Sequence, residues 1–218
     1  EGAVAPVLAE VIKNPTNDAK QRLDSATALA SIGAPAAVDA LFTVYRESDD
    51  QRFRAPLLRP LALALDTAHL AVFDEIVASE TKAKAELVLG RLTGDPIVVA
   101  AADLVRECVD EDTECLVRNL DYVAPEEMSF EGREFSKADY EQSRQWKASI
   151  MLARKTDEAA TVVPALLKKF EATPPQLTDL RNYVLIALER VGRSAPTMAE
   201  GLQKIREAEK GRGGPFDY

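Results

Sequence analysis

The chain has 218 residues, 46% of them hydrophobic but only 6% aromatic, so its apolar content rests on Ala, Leu and Val. That length is enough to bury a sizeable core, and that composition suits helices packed closely on helices. A formal net charge of −9 argues against nucleic acid as the main partner and against adhesion to an anionic membrane, because both need a positive surface. No run of 18 apolar residues is present, so no transmembrane segment is expected.

The chain begins at Glu1 and carries no signal-peptide pattern, which fits either a trimmed chain or a processed mature region. Ala3 to Lys13 reads as one helix, with Val4, Val7, Leu8 and Val11 at helical spacing. It reads as the second half of a helix pair, so a preceding portion is expected. Asn14-Pro15 stops it. The next helix starts near Asn17 or Asp18, both good caps, and turns Leu23, Ala26, Leu29 and Ala30 inward. Gly33 supplies a left-handed C-terminal residue, and Pro35 sits in the first turn of the following helix, where its missing N–H costs nothing. Val38, Leu41, Phe42 and Tyr45 form that helix's apolar stripe.

A further pair is expected at about Asp50 to Leu65 and Ala68 to Ser79. Pro56 and Pro60 should kink or shorten the first of these. Lys82 to Leu92 and Pro96 to Asp110 are both helical in pattern, and 113–120 makes a short helix. The pattern then breaks. Residues 121–137, DYVAPEEMSFEGREFSK, hold Pro125, Gly132, five acidic residues and three aromatics without a clean period. This reads as an insertion, and long irregular loops in compact domains are often functional. Helical pattern resumes by Tyr140 and runs to about Glu209. The tail 210–218 is Gly-rich and reads as extended or frayed.

Three stretches share one phrase, an Ala-rich helix, a tight corner and a second amphipathic helix: Asp18 to Ser48, Ser143 to Glu171 and Asp179 to Glu207. Recurrence at this length is the mark of a solenoid. Ala26, Leu29, Ile32, Gly33, Ala36, Ala37, Val38 and Leu41 carry the phrase in one unit. Ala148, Leu152, Ala153, Val163, Pro164, Ala165 and Leu166 carry it in another, and Leu185, Ala187, Leu188, Val191 and Gly192 in the last. In these residues the chain resembles the HEAT repeat, most closely the bacterial HEAT-like repeats first named from phycobilisome lyases. The resemblance implies an all-α, right-handed α-solenoid (an armadillo-like superhelix) of about five antiparallel helix pairs, spanning residues 1–209.

Catalytic signatures are missing from the sequence. Metal-dependent enzymes of HEAT-like architecture resemble arrays with paired His-Glu dipeptides, whereas this chain has one histidine, His69, near a helix start. Capping or exposure is its expected role. GRGG at 211–214 lacks the flanking strand and helix of a nucleotide loop. Asp110-Glu111-Asp112 lacks the ligand order of a Ca²⁺ loop. No enzyme activity, metal or cofactor is therefore expected.

Cys108 and Cys115 are the only cysteines. On one continuous helix their Cα atoms would stand about 10.5 Å apart, too far to bond. If Asp110 to Asp112 instead makes a capped turn, Cys108 ends one helix, Cys115 begins the next, and a disulfide is within reach. A disulfide implies an extracytoplasmic, periplasmic location; two buried thiols imply a cytoplasmic one.

The expected function is a protein-binding scaffold or adaptor, with a structural spacer in a larger assembly as the alternative. A lyase-like enzyme subunit comes third. Second helices bring Tyr45, Arg46, Lys168, Lys169, Lys204 and Arg206 to the expected concave face. The insertion adds Tyr122, Met128, Phe130 and Phe135, which either anchor a partner or fold back over neighbouring helices.

Overall fold

The computed structural model describes residues 4–87, 95–131 and 133–194, with Gln203, Ile205 and Glu207. It is all-helical: ten α-helices and no strand among the described residues. The chain divides into two compact units, Glu1–Asp110 with Ala124–Ser143, and Glu111–Val123 with Arg144–Tyr218.

The first unit opens with α1 (Val4–Lys13), α2 (Ala19–Ile32) and α3 (Pro35–Glu47). Asp18 caps α2 by accepting from the backbone N–H groups of Lys20 and Gln21. Gly33 closes α2 at φ 64°, the left-handed residue the sequence predicts there, and Pro35 starts α3. Replacing Gly33 with alanine puts a Cβ into that conformation and should cost about 1 kcal/mol in urea unfolding. In α2, Ala26, Leu29 and Ala30 are buried as expected, and Leu23 is half-buried. The α3 stripe of Val38, Leu41, Phe42 and Tyr45 is buried throughout.

The register of α1 differs from expectation. Its buried face is Ala5, Ala9 and Ile12, while Val4 and Val7 are 51% and 62% exposed. α1 packs on both α2 and α3, and the small side chains of Ala5 and Ala9 permit close approach where valines do not.

α4 (Gln51–Ala64) carries Pro56 and Pro60 inside it and still runs 14 residues. The expected shortening does not occur. α4 packs against α2, α3, α5 and α6, and Leu57, Leu58, Leu61 and Leu63 are all essentially inaccessible. Burying four leucines contributes about 8 kcal/mol, at roughly 2 each. Two interior prolines cost about 6 kcal/mol, at roughly 3 each. The helix therefore survives because it lies at the centre of its unit.

A 3₁₀ turn at Thr67–His69 leads into α5 (Leu70–Leu87), one helix where the sequence suggested a break between Ser79 and Lys82. Only Glu80 and Thr81 lie between, and neither is a breaker. Residues 88–92 of that reading lie outside the described residues. α6 (Pro96–Glu107) starts on the Asp95 cap and packs on α4 and α5.

The second unit contains α7 (Thr113–Asn119), α9 (Ala159–Ala172) and α10 (Thr178–Gly192); α8 spans Lys137–Leu152. α9 packs against α7 and α10. Val162, Val163, Leu166 and Phe170 of α9 and Leu180, Val184, Leu188 and Val191 of α10 are buried. In the second half of the last repeat phrase only Gln203, Ile205 and Glu207 are described after Ser194; Lys204, Arg206 and the tail 210–218 lie outside the described residues.

Candidate binding loop and cysteine turn

Residues between α7 and α8 form an irregular loop, as the loss of periodicity predicts. Its exit is built by Ser136 and Asp139. The Ser136 N–H and hydroxyl both donate to Asp139 Oδ2, at 2.9 and 2.7 Å, and the Asp139 N–H returns to Ser136 Oγ at 3.2 Å. This reciprocal capping box starts α8. The same donors hold the Asp139 carboxyl below its ordinary range.

In the first unit, Phe130 and Phe135 lean on Tyr140, at centroid distances of 5.5 and 6.4 Å, and on each other at 6.3 Å. Tyr140 is buried, and its hydroxyl donates to Asp103 Oδ2 at 2.8 Å. The Arg133 guanidinium lies 5.4 and 5.5 Å from the two phenyl centroids. Met128, Phe130 and Phe135 are each half-buried, so the loop aromatics fold back yet keep part of their surface in solvent. The Ala124 N–H donates to Glu141 at 2.8 Å and ties the loop to α8.

In the second unit, Tyr122 is half-buried under the Arg144 guanidinium, 4.2 Å from its ring centroid. Arg144 Nε donates to Asn119 Oδ1 at 2.7 Å, and Gln145 donates to the Tyr122 carbonyl at 2.9 Å. Lys169 Nζ joins Gln145 Oε1 at 2.9 Å and Asp121 Oδ1 at 3.2 Å. Tyr122 is thus a fixed member of a polar network, and Lys169, expected on a binding face, is buried within it.

Tyr45, also a candidate contact, is buried. Standing one turn after Phe42 in the α3 stripe, it points into the core, and its hydroxyl donates to the buried carboxylate of Glu80. Arg54 Nε lies 3.7 Å from the same carboxylate. Burial first, and then the Glu80 contact, push the Tyr45 phenol well above its usual range. The sign follows: the unfolded chain ionises first, so this contribution to stability is complete below about pH 10 and is lost as pH rises beyond it. Tyr45→Phe removes the donor to a buried charge and should cost about 1.5–3 kcal/mol in denaturant unfolding at neutral pH. Arg46 and Lys168 are exposed and remain available.

His69 serves the fold. Its backbone N–H and Nδ1 both face Asp66 Oδ1, at 3.0 and 2.7 Å, in the cap of the 67–69 turn. Nε2 faces Asp39 at 3.0 Å, and the ring stacks on Phe42 with centroids 4.6 Å apart.

Cys108 and Cys115 are disulfide-bonded. The turn between them has the expected form. Cys108 follows the last residue of α6, and Asp112 caps α7 by accepting from the Cys115 N–H at 2.9 Å. Asp110 and Glu111 both adopt left-handed backbone conformations, at φ 56° and 55°. Aspartate tolerates that region; glutamate does so at a cost of about 1–2 kcal/mol.

Sequence reasoning missed the buried arginines. Arg22 donates from Nε to the Ile12 carbonyl at 2.7 Å and lies 3.5 Å from the Phe53 ring centroid. Its place on one face with Ala26 and Leu29 was the available signal, masked by its charge. Glu80 carried the same signal, on one face of α5 with the buried Phe73 and Ile76, and was masked in the same way.

Among the described residues, no group of three or more His, Cys, Asp or Glu side chains is arranged to hold a metal, and no helix is long and apolar enough to cross a membrane. Comparison with protein-family models, with curated proteins and with solved structures finds no match.

Proposed function

We propose that the chain is a non-catalytic protein-interaction scaffold of HEAT-like type, with the 121–137 loop as its recognition element. Support for a repeat array comes from alternate-helix packing in the first unit: α1 lies on α3, α2 on α4 and α4 on α6. Stacking of every second helix is how successive helix pairs of a solenoid bury their faces. The observation that carries the binding role is the loop's construction. Phe130 and Phe135 are braced on the buried Tyr140 while they and Met128 keep solvent-exposed surface, so little side-chain freedom remains to be lost on binding. Exposed Arg46 and Lys168 are secondary contacts. The paired cysteines favour an oxidising, extracytoplasmic compartment, the periplasm of a bacterium.

The test is affinity capture from native extract with the wild-type chain beside Met128→Ser and Phe130→Ser, read by mass spectrometry. A partner retained by the wild type and reduced at least about tenfold by either variant is the expected result, since a buried interface anchor carries 1.4 kcal/mol or more. Equal retention by all three removes the loop from the binding site.

A further inference from the structure

We propose that the Cys108–Cys115 bond is a redox-controlled clasp that keeps the 108–115 turn closed. Three observations meet here. The four residues Val109 to Asp112 connect two helices without a glycine, although two of them, Asp110 and Glu111, need left-handed backbone conformations. Noncovalent support for those two is thin among the described residues: no side-chain hydrogen bond or ion pair of Asp110 is seen there, and Glu111 approaches Arg154 at 3.7 Å. Both cysteines are buried, one at each end of the strained stretch.

A strained backbone persists only where its surroundings over-determine it. The covalent bond supplies that constraint, so breaking it lets Asp110 and Glu111 return to ordinary conformations and opens the turn. The reductant is a dithiol. One of its thiolates attacks a cysteine sulfur, the S–S bond breaks and a mixed disulfide forms. The second dithiol sulfur then displaces the remaining cysteine. Two electrons pass to the protein, which gains two thiols, and the dithiol closes to its own disulfide. Because the sulfurs are buried, exchange in the folded chain waits on opening of the turn.

The acidic turn is itself a substrate for a protease that cuts after Glu and Asp, which gives the readout. The full chain is reduced with dithiothreitol in urea, returned to buffer with the reductant kept, and digested beside the oxidised chain. Cuts within 107–114 are counted by mass against cuts at Glu126 and Glu127. Cleavage tracks the population of the open form, so the ratio should rise about tenfold or more on reduction. The Cys108→Ala/Cys115→Ala chain should show the high ratio without reductant. An unchanged ratio in chain verified to hold two free thiols overturns the proposal, as do two free thiols in the chain before any reductant is added. The wild-type comparison stands even if the double variant fails to fold.

Discussion

Replacing Phe42 with alanine should lower the stability of the chain by about 3–5 kcal/mol, the range for emptying a buried aromatic site. Phe42 is 1% exposed, at the middle of the α3 stripe, and its ring also carries His69. Ala37, Val38 and Leu41 beside it are equally buried, so the wall around the lost ring is fixed by helix packing and collapses little. Removing the ring also takes away the apolar surface on which the imidazole lies between Asp39 and Asp66. For a chain of this size the shift in Tm is about 2–4 °C per kcal/mol, so a drop of about 6–20 °C is expected. The control is Val7→Ala. Val7 is 62% exposed on α1, and its truncation should change stability by less than about 0.5 kcal/mol. Equal losses for the two variants would mean that α1 and α3 bury other faces than those described.

The second large effect concerns the cysteines. Native chain denatured without reductant should show no free thiol, and Cys108→Ala/Cys115→Ala should cost about 2.5 kcal/mol. That figure is the loop entropy of the eight-residue segment from Cys108 to Cys115. The substitution leaves two small apolar side chains in buried positions, so the loss reports chiefly on the bond. Two free thiols in the native chain would remove both the disulfide and the compartment argued from it.

Much of the fold was legible because it rests on local rules. Asp18, Gly33 and Pro35 punctuate α2 and α3 as cap, left-handed terminus and first-turn proline. The three consecutive acids Asp110 to Asp112 announced the turn that brings Cys108 and Cys115 together. What the sequence misplaced depends on tertiary context. Pro56 and Pro60 are breakers in an isolated helix, and only the burial of α4 on several sides overrides them. Val4 and Val7 carry the strongest apolar signal of α1, yet close helix approach selects Ala5 and Ala9. Tyr45 reads equally as a surface anchor or a core residue, and the choice turns on Glu80, 35 positions away. The loop was found by its loss of periodicity, but no spacing rule could show that Phe130 and Phe135 rest on Tyr140.

Hydrogen–deuterium exchange of the chain, with and without its captured partner, tests the scaffold reading most directly. Slowed exchange confined to 121–137 and the adjoining start of α8 is the result predicted. Protection confined to other helices, with exchange in the loop unchanged, would contradict the assignment of the loop as the recognition element.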